Sequence, residues 1–213
     1  MFLLPLLPYP HDALMPVLSA RTMHHHHEKH HGGYVKALND LLETADIVPD
    51  TLEAVIAAAS KSRNQQLFNN AAQARNHSFF WAAMTANAAP PTGDLAAAIS
   101  AQMGGLPALK AAFVEAGAAL FGSGWVWLVS DAEGKLAITV SHDAQDWKAE
   151  AGATPLIVCD LWEHAYYLDH QEDRRGFLSA WFDALPNWAF AGRQYAAAQG
   201  RGEKWTHPAP VAA

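Results

Sequence analysis

The run Pro90-Pro91-Thr92-Gly93 divides the chain more firmly than any other stretch. Two prolines remove two backbone donors and fix an extended backbone, so no regular element passes through. The two sides differ in kind. Before the run, apolar residues recur at helical spacing; after it, two helical segments give way to alternating and β-branched runs. The expected fold class is α+β. A helical N-terminal half, built on a long antiparallel helix pair, precedes an α/β half with a small three-stranded antiparallel sheet flanked by helices. The organisation follows: a helical domain over residues 1–90, an α+β domain over 91–198, and an extended or disordered tail over 199–213.

In the first half, Met1 to Pro10 reads as an extended arm broken by Pro5, Pro8 and Pro10, and Asp12-Ala13-Leu14 as a short helical segment stopped by Pro16. A long helical pattern runs from His24 to about Leu42, where Gly32-Gly33 costs about 1 kcal/mol per residue relative to Ala and marks a bend or a close approach. On it His26, His30 and Tyr34 stand at i, i+4 and i+8 and share one face; His24, His25, His27 and His31 point elsewhere, as solvated or packing residues. A loop through Pro49 leads to a helix over 51–60, with Asp50 as N-cap and Glu53 as its capping-box partner. A second long pattern, 66–87, places Gln73, His77 and Trp81 on one face.

In the second half, helices over 94–103 and 106–120 come first, the latter with Pro107 in its first turn. Trp125 to Ser130 and Lys135 to Ser141 form a hairpin around the turn Asp131-Ala132-Glu133-Gly134. A polar loop over 142–154 leads to Pro155-Leu156-Ile157-Val158-Cys159, a buried third strand ending at Asp160. Helices over 161–170, 174–184 and 188–198 close the fold.

Composition excludes several classes. Of 213 residues half are hydrophobic, enough for a sizeable core, and the formal charge of −7 argues against general nucleic-acid binding. The arm is too short and too broken to span a membrane. One cysteine, Cys159, permits no internal disulfide, which fits a reducing, cytoplasmic setting. Six of the twelve histidines fall between positions 24 and 31. This run is internal and continues through Glu28-Lys29-His30-His31, so it is not an affinity tag.

Four ligand candidates come from four places: His26, His77, Asp160 and His164. Asp160 ends a strand and His164 lies four residues on, so carboxylate and imidazole reach one point. A mixed oxygen and nitrogen set suits a first-row transition metal, whereas a structural zinc site would favour thiolates. Trp162, Tyr166 and Tyr167 wall the site, and Glu163 adds a second carboxylate.

Asp160-Leu-Trp-Glu-His-Ala-Tyr-Tyr167 resembles the signature of the iron/manganese superoxide dismutases. So do Phe68-Asn-Asn-Ala-Ala-Gln73-Ala-Arg-Asn-His77-Ser-Phe-Phe-Trp81, Lys29-His30-His31 with Tyr34, Phe121-Gly-Ser-Gly-Trp125-Val-Trp127, and Leu7-Pro-Tyr9. The similarity runs from about Leu4 to Ala198, with its motifs in order. It implies an antioxidant oxidoreductase that converts superoxide to dioxygen and hydrogen peroxide by redox cycling of one metal ion. It implies that His26, His77, Asp160 and His164 bind that ion, that Tyr34 and His30 gate the funnel and relay protons, and that Gln73 hydrogen-bonds the metal's solvent. Trp81, Trp125 and Trp162 would form an aromatic shell. Glu163 would pair with a partner subunit's ligand histidine and Tyr167 with its His30, across the interface of a homodimer or a tetramer. Phe80 stands where many members carry Tyr, and the chain after Ala198 is longer than the family pattern.

The resemblance also bears on the metal. Iron-type members carry the solvent-bonding Gln on the helix, where Gln73 stands; manganese-type members bring it from the loop after the second strand. Here that loop holds Gln145, and two amides in one small space would overpack it, at a cost of about 1–3 kcal/mol. A shift of one residue would put Ala144 there instead. The expectation is iron, with Gln73 as donor and Gln145 turned away, and manganese or use of either metal as the alternative. Two other readings use the same residues: a non-haem iron oxygenase with two His and one carboxylate, and a non-catalytic metal-binding protein using the run 24–31.

Overall fold

The computed structural model describes residues 1–45, 50–145 and 152–211. Pro49, residues 146–151 of the expected polar loop and residues 212–213 of the tail lie outside them. Helices α1 (Ala20–His24) and α2 (Gly32–Thr44) are the two ends of one continuous rod, joined by a π-helical segment, His25–His31, whose flanking residues keep right-handed helical dihedrals. Ser19 caps the start, its hydroxyl accepting from the Thr22 N–H at 3.2 Å. Helices α3 (Leu52–Ser62) and α4 (Gln65–Ala82) follow, and α4 packs on both α2 and α3. The cap of α3 differs from expectation. Thr51, one residue later than Asp50, accepts from the Ala54 N–H at 3.1 Å. Glu53 turns outward from the helix end and accepts from Arg75 Nε at 3.1 Å and from the His207 N–H at 3.2 Å.

The second half begins with α5 (Gly93–Met103) and α6 (Leu106–Ala119). The sheet consists of β1 (Gly124–Ser130), β2 (Leu136–His142) and β3 (Thr154–Asp160), antiparallel in the order β2-β1-β3. Both β1 and β3 are buried along their whole length, which is why they read as nearly continuous apolar runs. Pairing of Trp125 with Asp160 in the β1–β3 register fixes the end of β3 over the aromatic floor of the site. Gly124 is required where it stands: a Cβ there would collide with the Ser141 carbonyl oxygen of β2.

The segment after β3 is not the single helix expected over 161–170. A 3-10 turn, Glu163–Ala165, is followed by α7 (Tyr167–His170), with Tyr166 at φ −140° between them. Helices α8 (Arg174–Ala184) and α9 (Trp188–Ala198) end as the sequence predicts.

One core, including Phe79, Phe113, Trp127, Phe177 and Trp181, lies between the sheet and its helices; a smaller one, including Leu38, Val55 and Ala71, fills the α2–α3–α4 layer. The arm is clamped onto α2, where Asn39 accepts from the Phe2 N–H at 2.9 Å and donates to the Phe2 carbonyl at 2.8 Å. Beyond α9 the described residues form no helix or strand, yet Trp205 packs edge-on against Phe79 and His207 is buried. No helix among the described residues is long and apolar enough to cross a membrane.

Candidate metal centre

Four elements converge at the end of β3. The π-helical segment delivers His26, α4 delivers His77, β3 delivers Asp160 and the 3-10 turn delivers His164. One potential ligand atom from each lies within 4.8 Å of the others. Asp160 Oδ2 stands 3.0 Å from His26 Nε2, 3.5 Å from His77 Nε2 and 3.3 Å from His164 Nε2, and the last two nitrogens are 3.4 Å apart. Donor atoms about 2.1 Å from one ion, at angles of 90–120°, stand about 3.0–3.6 Å from each other. These four separations fall in that range and the whole set stays within 4.8 Å, so the four residues could hold a single metal ion.

Hydrogen bonding points the same way. His77 Nδ1 gives its proton to the Gln73 carbonyl at 2.8 Å, which leaves a lone pair on Nε2 facing the cluster. His26 Nε2 is close to Asp160 but lacks hydrogen-bond geometry, so both of its buried nitrogens are without such a partner. Buried polar groups left this way are costly unless something else satisfies them. Burial, opposed in part by contact with Asp160, lowers the His26 pKa to about 4; burial also pushes His77 well below its ordinary value. Both imidazoles are thus neutral, the form a metal needs. Burial alone would raise the Asp160 carboxyl, but its hydrogen bond with His164 and its close contact with His26 outweigh it and hold the group ionised.

The wall is aromatic and specific. Trp125 meets the His77 ring edge-on at 5.0 Å, Trp162 stacks on His164 at 5.6 Å, and Trp81 meets His26 at 4.7 Å. His30 is exposed yet stacks on His164 at 4.1 Å. Tyr34 lies over His77, and Gln73 Nε2 donates to its hydroxyl at 3.5 Å. Burial, with the Asp160 charge second, raises the Tyr34 pKa and keeps the phenol protonated. Tyr34, Gln73 and Trp162 line an open cavity of about 890 Å³. Glu163 and Tyr167 lie on the surface beside the site.

Two features escaped the residue spacing. The first is His31, placed among the residues pointing elsewhere. It is fully buried and stacks on His77 at 5.4 Å. Trp81 Nε1 donates to its Nδ1 at 3.1 Å, so its proton sits on Nε2, which donates to the Ala74 carbonyl at 3.0 Å. An α-helical wheel separates His26 from His31 by five residues and sends them apart; hydrogen bonds of the i→i+5 type bring that spacing back to one side. The second is Asp143, at φ +51°, whose carbonyl accepts from Trp125 Nε1 at 3.0 Å and Trp162 Nε1 at 3.2 Å. That kink turns Ala144 inward and buries it, while Gln145, expected to turn away from the solvent ligand, is exposed. The Gln145 contribution is its carbonyl, which accepts from Ser141 Oγ at 2.8 Å and Asn76 Nδ2 at 3.3 Å.

Comparison with known families agrees with this geometry. Residues 1–85 match the alpha-hairpin domain of iron/manganese superoxide dismutases, and residues 91–194 match the C-terminal domain. The chain therefore belongs to the iron/manganese superoxide dismutase family, a family of oxidoreductases. Among its relatives, a superoxide dismutase [Fe] of Synechococcus elongatus is 45% identical over 197 residues, covering 92% of this chain and 97% of the relative. A superoxide dismutase [Fe] of Escherichia coli is 44% identical with 92% and 99% covered, and one from a Synechocystis species is 43% identical over the same shares.

Proposed function

We propose that the protein disproportionates superoxide at one iron ion per subunit, bound by His26, His77, Asp160 and His164. The observation that carries the reading is the set of four donor atoms within 4.8 Å, three imidazole nitrogens and one carboxylate oxygen. Neutral imidazoles with one carboxylate leave a divalent ion with a net charge of +1, which attracts a small anion into an otherwise acidic molecule. A redox-active metal held by these four residues would supply the one-electron chemistry that disproportionation of superoxide needs. Everything else falls to the chain. Trp81, Trp125 and Trp162 exclude bulk water from the donor cluster. Tyr34 Oη holds a proton at neutral pH and, half-exposed in the cavity, draws replacements from solvent; it relays protons to the peroxide product. Gln73 orients that hydroxyl by donating to it, and His30 holds the His164 ring by stacking. Lys29, exposed and next to His30 in the chain, adds a positive charge there.

Iron is favoured over manganese because the buried amide is Gln73, on α4, and the buried loop residue is Ala144. The relatives' names carry iron as well. We further place the protein in the cytoplasm, where its single buried thiol would stay reduced, and read it as a homodimer. Glu163 and Tyr167 are exposed beside the site, and pairing across a two-fold axis would give the Glu163 carboxylate an imidazole N–H donor. The test is superoxide decay with purified protein before and after chelation, then with apoprotein loaded separately with each metal. Turnover per ion should be clearly greater with iron. Decay indifferent to chelation would refute the activity; manganese protein outperforming iron protein would refute the metal.

A further inference from the structure

The histidine run does more than supply His26. On the opposite side of the π-helical segment, His24, His27 and Glu28 meet His11 from the turn that follows the arm. Glu28 Oε1 lies 3.0 Å from His24 Nδ1 and 3.8 Å from His11 Nε2. The His11 ring centre is 6.0 Å from that of His24 and 6.2 Å from that of His27. His27 is buried, and its Nε2 must carry the proton, because it shares 2.8 Å with the Pro5 carbonyl, which can only accept. Its Nδ1 therefore holds a bare lone pair, shielded from water and without a hydrogen-bond partner. His11 Nε2 is shielded and unpartnered in the same sense.

We propose that His11, His24, His27 and Glu28 form a second metal site, for a borderline divalent ion of the zinc class. Donors on a tetrahedral zinc stand about 3.3 Å apart, between the two separations to Glu28. The group is more open than the cluster around Asp160. It closes by rotating side chains that are free to turn, since those of His11, His24 and Glu28 are 38%, 45% and 42% exposed. The buried member, His27, is the one already fixed, and its bond to Pro5 is the outer contact that sets the tautomer of a ligating imidazole. A metal here would tie the arm to the helix that carries His26.

The probe is zinc. Protein as isolated, with the metal content of the Asp160 site measured in parallel, is equilibrated with chelator-buffered zinc near neutral pH. It should retain one zinc per subunit without losing its resident metal. His11→Gln and Glu28→Gln should each weaken zinc at least tenfold while leaving the resident metal and the helical circular dichroism unchanged. His25→Gln, which removes a neighbouring histidine of the run, should leave zinc affinity unaltered. X-ray absorption at the zinc edge should show imidazole scattering with an oxygen donor. Three results would overturn the site: zinc displacing the resident ion one for one, equal affinity in wild type and both variants, or an equal loss in His25→Gln. The last would mean that the run binds zinc as a simple histidine tag does.

Discussion

Replacing Trp81 with Phe tests whether His31 is held as described. The indole donates to His31 Nδ1 at 3.1 Å, and both residues are buried. Phe cannot donate, so Nδ1 becomes an unsatisfied buried acceptor at a cost of about 1–3 kcal/mol. For a chain of this length each kcal/mol moves the melting temperature by roughly 2–4 °C, so the loss expected from this bond is about 2–12 °C. The lost ring area adds to it, and that part is common to any background. A double-mutant cycle separates the two. In a His31→Phe background no acceptor remains to be orphaned, and Trp81→Phe should cost less there than in wild type. Melting is followed at one scan rate on samples of equal metal content, because bound metal itself stabilises the fold. Equal costs in the two backgrounds would show that the Trp81–His31 bond contributes nothing and would refute the argument.

Replacing Asp160 or His164 with Ala should abolish tight metal binding, read by metal analysis after gel filtration; a full complement in either variant would undo the ligand assignment. Gln73→Ala should alter turnover far more than Gln145→Ala, since only the former side chain is buried; the reverse order in steady-state assays would move the donor to the loop. Glu163→Ala should weaken the dimer and lower metal occupancy together, measured by sedimentation and metal analysis at micromolar protein, and a monomeric wild type would contradict it. His26 has a folded pKa near 4 against about 6.5 when unfolded, so the unfolded chain binds more protons between those values. The metal-free protein should therefore be stable above about pH 6.5 and lose stability progressively as pH falls through 4, in denaturant titrations; a flat profile over that window would show that His26 is not buried neutral.

What the sequence could and could not disclose divides along physical lines. The strands were legible because β1 and β3 are buried along their whole length, and such strands read as nearly continuous apolar runs. Asp160 and His164 were legible because four residues after a strand end span a short distance in almost any backbone, whether α-helix or the 3-10 turn found here. The side on which His31 lies was not legible, because periodicity arguments presuppose 3.6 residues per turn, and the segment 25–31 departs from it. The capping of α3 was misjudged by one residue for a related reason. Asp50 and Thr51 are both good caps, and the choice between them is made by Glu53, which is drawn away from the helix end by Arg75 and His207, the latter far along the chain.

The space beside Gln73 shows how a choice left open by the residues is decided by tertiary contacts. Asp143 or its neighbours could have presented either Ala144 or Gln145 to the cluster. The left-handed turn at Asp143 is held by two indoles, Trp125 from β1 and Trp162 from the far side of the site, each donating to the same carbonyl. Asn76 on α4 then fixes the next two carbonyls, of Ala144 at 3.4 Å and Gln145 at 3.3 Å. With the backbone held at three successive residues, alternation of side chains sends the methyl group inward and the amide out. The residues that keep the loop amide away from Gln73 are thus two tryptophans and an asparagine.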